Sequence, residues 1–354
     1  METSQRELMT GNQAAAEGAI RAGCRFYAGY PITPQNDLPE YMSARMPEVG
    51  GTFLQAESEL AAISLVHGAA AAGARAMTSS SSPGMSLKQE GLSYMCGSQL
   101  PAVIINVQRA GPGLGDVRCA QSDYWQATRG GGHGDYFHIV LAPYSVQETM
   151  DLTIEAFALA EKWRTPAMIL SDQQVGQMME PVTLPPMADA TLPNPPWALT
   201  GATDGRPHHI VRSFFGQPGE LVEWNKVLKA KWERMAAEEV RWEEIETADA
   251  ELVLLAYGTS ARLSRAVVQQ CRKKGLKVGL LRPISLWPFP VAAVAALAGR
   301  VREMLVVEMS YGQFVDDVRL AVEGRVPVEL FSTFGGEVPK MADIQARAES
   351  LLKA

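Results

Sequence analysis

The stretch RFYAGYPITP (25–34), continued by TFLQAESELAAISLVHGAAAAGARAMTSSSSPG (52–84), decides the fold. Short strand-like runs end in Gly, Pro and Ser, and each is followed by an Ala-rich segment of helical length. That is the βα rhythm of a mostly parallel sheet covered by helices on both faces. Working outward, the pattern predicts strands at Phe26–Tyr30, Thr52–Gln55, Arg75–Ser79, Ala102–Val107, Phe137–Leu141 and Ala167–Leu170. Helices are expected over Gln13–Ala22, with Asn12 as cap and Gly23 as stop, and over Ser58–Ala72, Met85–Ser98 and Val146–Trp163. In open parallel sheets ligands bind beyond the carboxyl ends of the strands, so the polar junctions after these strands are where a site is sought.

The chain has 354 residues, 47% hydrophobic and 20% charged, which fits a globular protein of two or three domains and excludes disordered, collagenous and mini-protein classes. A net charge of −7 gives no global reason to expect nucleic acid or an anionic membrane as partner. Cys24, Cys96, Cys119 and Cys271 are too scattered for a zinc site, a redox motif or a disulfide framework. Any iron–sulfur chemistry therefore belongs to another chain. The N-terminal METSQRELMTGNQ fits neither a signal nor a transit peptide, and apolar runs such as 291–298 are too short to span a bilayer, so a cytoplasmic location is expected.

Around EPVTLPPMADATLPNPPW (180–197) the sequence turns Pro-rich and aperiodic, as a linker does. A charged helix is expected from about Glu220 to Glu246, striped by Trp224, Val227, Trp232, Met235 and Val240. A second βα series follows, with strands at Leu252–Tyr257, Lys277–Leu281, Met304–Val307 and Val326–Leu330 and a helix at Arg262–Lys273. Pro327 marks the last strand as an edge or a strand start. The expected division is 1–178, a linker and helix over 179–247, and 248–354.

Four junctions carry candidate chemistry. In GYPITP (29–34), Thr33 and Pro34 read as an N-cap and first helical residue, or as a small anion site suited to a carboxylate. In QAESE (55–59), Glu57 and Glu59 read as dipole complements of a helix start, or as functional acids. Ser79–Ser82 with Pro83 and Gly84 read as a solvated loop, or as one that a ligand approaches closely. Arg109, beside AGPGLG, is either a surface cation or a bidentate grip for a carboxylate. The glycine clusters 111–115 and 130–132 match no nucleotide fingerprint, and His133, Asp135 and His138 match no metal template. His208 and His209, near the linker, are expected to face solvent.

The runs GNQAAAEGAIRAGCRFYAGYPITPQNDLPEY (11–41), FLQAESELAAISLVHGAAAAGARAMTSSSSPGMSLKQEGLSYM (53–95) and LPAVIINVQRAGPGLG (100–115) together resemble the α subunit of the 2-oxoacid:ferredoxin oxidoreductases. AYGTSARLSRAVVQQCRKKGLKVGLLRPISLWPFP (256–290) and VVEMSYGQFVDDVRLAV (306–322) are similar to its second domain. The resemblance implies an α/β chain with a thiamine diphosphate-fold pyrimidine domain and a transketolase C-terminal-like domain. It implies that a β subunit brings the diphosphate- and Mg2+-binding half with at least one [4Fe–4S] cluster. Gamma and ferredoxin-like delta subunits, ferredoxin as acceptor and coenzyme A as co-substrate are expected beside it. No Gly-Asp-Gly metal motif occurs here; the nearest string is Thr203-Asp204-Gly205.

Residue by residue, the resemblance assigns Glu59 to the aminopyrimidine ring, with Glu57 as its alternative. Ser80, Ser81, Ser82, Pro83 and Gly84 go to the cofactor side of the subunit interface. Tyr30, Pro31, Ile32 and Thr33 line the 2-oxo acid and coenzyme A path, and Arg109 holds the substrate carboxylate. Among substrates the motif version is most like the branched-chain type (2-oxoisovalerate, or 3-methyl-2-oxobutanoate), followed by 2-oxoglutarate and pyruvate. The β chain of a lipoamide-linked dehydrogenase and a non-catalytic assembly subunit are the competing classes.

Overall fold

The computed structural model describes residues 6–188, 195–201 and 205–353. Residues 189–194 of the Pro-rich stretch, and Thr203 and Asp204 of the Thr-Asp-Gly string, lie outside the described residues. In chain order, β1 (Arg6–Thr10) leads to α1 (Gly11–Arg21), β2 (Phe26–Gly29), α2 (Asp37–Glu48), β3 (Thr52–Gln55), α3 (Glu59–Ala71), β4 (Ala76–Ser80), α4 (Ser82–Gly97) and β5 (Val103–Gln108). Next come α5 (Tyr124–Arg129), β6 (Ile139–Leu141), α6 (Val146–Trp163), β7 (Ala167–Asp172), α7 (Gln173–Gln177) and β8 (Met179–Thr183). The second half runs α8 (Glu220–Glu238), β9 (Trp242–Ile245), β10 (Leu252–Leu255), α9 (Gly258–Lys273), β11 (Val278–Pro283) and β12 (Ser285–Trp287). It ends with α10 (Val291–Ala298), β13 (Glu303–Glu308), α11 (Phe314–Val322), β14 (Val328–Ser332) and α12 (Met341–Lys353).

Strands β12-β6-β7-β5-β4-β2-β3 form a seven-stranded sheet, parallel but for β12. Its central strands β4, β5 and β7 are buried along their whole length. Burial on both faces explains the unbroken apolar run of β5, because helices cover both sides of a parallel sheet. The second sheet, β14-β13-β10-β11-β9, is parallel except for β9. β14 lies at its edge, as Pro327 suggested.

The two halves are bolted together rather than merely adjacent. β12, from the second half of the chain, pairs antiparallel with β6 of the first sheet, and Trp287 stacks on Phe137 at 5.0 Å. The Asp172 carboxylate at the end of β7 accepts from Val175 N at 3.0 Å, capping α7. It also accepts from Thr259 N at 2.9 Å and Thr259 Oγ1 at 2.6 Å in the first turn of α9. Gln121 bridges both units, donating to Tyr257 O at 2.8 Å and accepting from Ser260 Oγ at 2.8 Å.

Several expectations are corrected. Thr10, not Asn12, caps α1: its hydroxyl accepts from Gln13 N while the Gln13 side chain returns to Thr10 N, a reciprocal capping box. Asn12 instead donates to Pro34 O at 3.0 Å. The expected helix over 220–246 ends at Glu238, and 242–245 is a strand, because its alternating residues pair with β11. Val227 in its expected stripe is exposed, whereas Leu228, Trp232 and Met235 are buried. Among the described residues no helix is long and apolar enough to cross a membrane.

Candidate active site

The carboxyl ends of β3, β2, β4 and β5 lie side by side in the first sheet, so their outgoing junctions share one rim. The helix-start reading of GYPITP does not hold there. Helix α2 starts at Asp37, behind Asn36, and not at Pro34. The carbonyls that would open a helix are engaged elsewhere: Pro34 O by Asn12, and Thr33 O by Arg109 Nη1 at 2.7 Å. Thr33 Oγ1 accepts from Asn36 Nδ2 at 3.1 Å. Tyr30 and Pro31 are exposed, and Ile32 and Thr33 are half-buried. Thr33 and Arg109, far apart in sequence, are thus brought together directly.

At the next junction Ser58 caps α3, its hydroxyl accepting from Ala61 N at 3.2 Å, and Glu59 is the first helical residue. Glu57 is exposed, while Glu59 is buried to 7% exposure. The two acids part company because the cap turns one outward and the other against α4.

SSSSPG is not a loop. Ser79 and Ser80 finish β4, Ser81 is the residue before α4, and Ser82, Pro83 and Gly84 form its first turn. Ser81 makes no side-chain cap bond. Its hydroxyl and that of Ser80 are buried without a hydrogen-bond partner. Ser82 works differently: its Oγ donates to Asp123 Oδ2 at 2.7 Å and accepts from Arg109 N at 3.0 Å.

Arg109 follows β5 and is buried to 5% exposure, so the surface-cation reading fails. Its Nη2 donates to Leu114 O at 3.1 Å, while Nε has no partner. No carboxylate neutralises it by direct contact among the described residues. A cavity of about 440 Å3 reaches it, walled by the Arg109–Gly113 turn, Ser82, Pro83 and Ser86 on one side and Ser310, Tyr311 and Phe334 on the other. Asp123 stands close by, held also by Asn106 Nδ2 at 2.9 Å. Desolvation raises the Asp123 carboxyl above its ordinary pKa, against the lowering effects of Ser82, Asn106 and Arg109.

Whether these residues fit a thiamine diphosphate pyrimidine ring is tested by the space at Gly84. A Cβ there would lie 2.7 Å from Glu59 Oε1 and 2.8 Å from Glu59 Cγ, and would overlap Ser80 Oγ. Only glycine lets the acid and the hydroxyl approach the first turn of α4 so closely. Two partnerless buried hydroxyls and a buried carboxylate beside that glycine form a polar set of the kind a hydrogen-bonding ring could complete. The donor set fits.

Sequence reasoning missed three residues of this rim. Gln35 accepts from Ser79 Oγ at 2.5 Å, Asp123 is described above, and Lys88 is fully buried behind β4. Lys88 was legible in principle: it is a cation on the apolar stripe Met85, Leu92 and Met95 of α4. Of the decoys, His133 and Asp135 are exposed, while His138 is buried beside Tyr136. His208 is exposed and His209 half-buried, with its Nδ1 3.0 Å from Ala198 O.

A parallel sheet presenting a buried acid and partnerless hydroxyls at neighbouring strand ends is that of an α/β domain with a polar site on its carboxyl rim. Residues 17–222 match the family model "pyruvate flavodoxin/ferredoxin oxidoreductase, thiamine diP-bdg", and 250–344 match "pyruvate:ferredoxin oxidoreductase core domain II". The ketoisovalerate oxidoreductase subunit VorB of Methanothermobacter marburgensis is 48% identical over 96% of this chain and 96% of its own length. The 2-oxoglutarate synthase subunit KorA of Archaeoglobus fulgidus is 42% identical over 89% and 91%. Among solved structures, the 2-oxoglutarate:ferredoxin oxidoreductase of Magnetococcus marinus with 2-oxoglutarate, coenzyme A and succinyl-CoA bound superposes with a TM-score of 0.88 at 28% identity. That match covers 99% of this chain and 66% of the other, so this chain spans about two thirds of that polypeptide. A split-gene transketolase shares the fold at a TM-score of 0.60 and 11% identity. The chain belongs to the 2-oxoacid:ferredoxin oxidoreductase family and is a subunit of an oxidoreductase acting on 2-oxo acids.

Proposed function

We propose that this chain supplies the pyrimidine-side acid and the carboxylate grip for oxidative decarboxylation of 2-oxoisovalerate with coenzyme A, giving acyl-CoA, CO2 and reduced ferredoxin. The observation that carries the reading is the convergence of Glu59, Ser80 and Gly84 in the same helical turn as the Ser82 bond that fixes Arg109. When bound, thiamine diphosphate supplies the carbanion chemistry that lets a 2-oxo acid lose its carboxylate. Glu59 would hold the aminopyrimidine ring of the bound cofactor by a hydrogen bond, and the partnerless Ser80 and Ser81 hydroxyls would be available to it. Arg109, whose charge is buried and fixed by two carbonyls, holds the substrate carboxylate and orients the ketone. Thr33, tied to Arg109 through its carbonyl, lines the approach of acid and coenzyme A.

The second half of the cofactor site, with Mg2+ and the diphosphate, belongs to a β subunit that also carries [4Fe–4S] clusters, with gamma and delta subunits passing electrons to ferredoxin. Support for such docking comes from the outer faces of α3 and α4. Leu60, Leu65, Leu87 and Tyr94 are exposed there, beside Glu59. A branched aliphatic acid is favoured over 2-oxoglutarate because the rim segments 29–34, 55–60, 79–84 and 106–115 contain Arg109 as their one basic residue. A second carboxylate would want a second cation.

The test is reduction of viologen or ferredoxin by the purified native complex, with coenzyme A, across a panel of 2-oxo acids. Highest kcat/KM with 2-oxoisovalerate is expected, and Glu59→Gln lowers turnover by at least a hundredfold. Preference for 2-oxoglutarate overturns the substrate assignment. No coenzyme A-dependent reduction with any acid overturns the whole reading.

A further inference from the structure

The cavity that reaches Arg109 has two unlike walls. The first half of the chain gives it Arg109 and the polar groups of Ser82, Ser86, Ser122 and Asp123, whereas the second half gives it Met309, Ser310, Tyr311, Gln313 and Phe334. The polar side chains of that second wall are already spent. Ser310 Oγ donates to Glu308 Oε2 at 2.7 Å, and Gln313 donates to Ser122 O at 2.7 Å while accepting from Trp125 N at 2.8 Å. What remains for a ligand is the Met309 thioether and two rings, Tyr311 and Phe334, whose centroids lie 4.6 Å apart. Tyr311 is 78% exposed and Phe334 52%, an apolar pair left open at the edge of a cavity. The wall is nevertheless fixed against the Arg109 turn. Gln121 N donates to Met309 O at 2.8 Å, and Met309 N returns to Gln121 Oε1 at 3.1 Å. Arg118 Nη2 donates to Gly335 O, next to Phe334, at 3.4 Å, and Arg118 O accepts from Ala110 N, next to Arg109, at 2.9 Å.

We propose that Tyr311 and Phe334 are specificity-determining residues for the 2-oxo acid: they form the apolar end of this cavity and receive the branched aliphatic side chain of an acid whose carboxylate is held at Arg109. This rests on the reading of Arg109 and of the substrate given above, and adds to it the second half of the chain as the source of selectivity. Among the described residues that line the cavity, Arg109 is the one cation and Asp123 the one anion. An acid with a second carboxylate would have that group stripped of water against two rings and a thioether, with no cation to meet it. An isopropyl group meets the same surface favourably, because its burial removes apolar area from water. In such a pocket one methyl or methylene group is worth about ten- to two-hundredfold in kcat/KM.

The experiment compares 2-oxo acids on the purified native complex by coenzyme A-dependent viologen reduction. Pyruvate keeps the carboxylate and the ketone but ends in a methyl, so the ratio of kcat/KM for 2-oxoisovalerate to that for pyruvate isolates the side-chain end. In Phe334→Ala and in Tyr311→Ala this ratio is expected to fall by about tenfold. Phe334→Arg, which brings a guanidinium to the apolar end, is expected to raise kcat/KM for 2-oxoglutarate relative to 2-oxoisovalerate by about tenfold. Both rings are exposed and stand outside helices and strands, so the fold does not depend on them. Phe334→Leu, with an expected fall of about threefold, serves should the alanine variants fail to assemble. Acid ratios that stay at the parent's values, or a rise in KM for coenzyme A with those ratios unmoved, overturn the role of the pair. A parent complex that prefers 2-oxoglutarate overturns instead the substrate reading on which it rests.

Discussion

Gly84→Ala probes the close approach of Glu59 and Ser80 to the first turn of α4. Gly84 lies in the first turn of a regular helix, so alanine fits its backbone and, on helix propensity alone, would stabilise α4 by up to about 1 kcal/mol. The added methyl, however, would start 2.7 Å from Glu59 Oε1 and 2.8 Å from Glu59 Cγ, and would overlap Ser80 Oγ. Ordinary contact for such atoms begins near ~3.4 Å, so the carboxylate must retreat by roughly 0.7 Å and the serine must turn away. Glu59 cannot retreat freely, because it is the first residue of α3 and is anchored by the Ser58 cap.

A displacement of this size in a positioned group typically costs on the order of a hundredfold in rate. The expected result is thiamine diphosphate affinity lowered by about ten- to a hundredfold, with a matching loss of kcat/KM and a thermal midpoint lowered only by the overpacking cost of about 1–3 kcal/mol, less the helix-propensity gain. Cofactor titration, steady-state viologen reduction and differential scanning fluorimetry on the same complex read all three. Cofactor affinity and turnover both within threefold of the parent would show that Gly84 is merely a packing glycine and that the ring lies elsewhere.

Arg109→Lys keeps the charge but loses the planar fork that now bonds Thr33 O and Leu114 O, so KM for the 2-oxo acid should rise by about ten- to a hundredfold, visible in steady-state kinetics. An unchanged KM would remove Arg109 from the substrate grip. Burial pushes the His138 imidazole down to about 4, below the ~6.5 of an unfolded histidine. The unfolded chain therefore takes up a proton that the folded one refuses, and stability falls as pH drops from about 6.5 to about 4, by roughly 3 kcal/mol in all. His138→Phe should flatten the fall in thermal midpoint between pH 7 and 5, and an equal slope in parent and variant would refute the assignment. Asp172→Ala strips buried acceptors from Val175 N and Thr259 N at once, and about 2–4 kcal/mol of unfolding free energy should vanish in urea titrations. A loss below half a kilocalorie would mean that the two halves are held mainly by β12.

The strands and the parallel character of the first half were legible because they are buried runs between Ala-rich helices, a pattern that burial on both faces imposes. What the local pattern could not supply were pairings that depend on distant partners. β12 is three residues long and joins the other half's sheet, and β9 alternates like a strand only when β11 is there to receive it. The GYPITP junction misled for the same reason. Thr33 before Pro34 is a good helix start in isolation, but Arg109 and Asn12 take the carbonyls that a helix would use. Glu59 and Arg109 were legible from the motifs that carry them. Lys88 shows in the sequence only as a cation on an apolar stripe, and Asp123 not at all, because its place lies in a buried network rather than in any short string.

The serine run shows how much of the site is framework. Ser79 is spent on Gln35 and Tyr27, so it ties β4 to β2 and to the turn before α2. Ser82 faces the other way, holding Arg109 N while it donates to Asp123. Asp123 in turn is held by Asn106, which pairs with Ser80 across β5 and β4. Two residues after Ser82, Gly84 abuts Glu59. The first turn of α4 thus references Glu59 on one side and Arg109 on the other, within three consecutive residues of a rigid helix. Their separation is set by helix geometry rather than by loop conformation, which is the arrangement that keeps a carboxylate grip and a proton-sharing acid in register through a turnover. Ser80 and Ser81 are the two hydroxyls of the run that this framework leaves without partners.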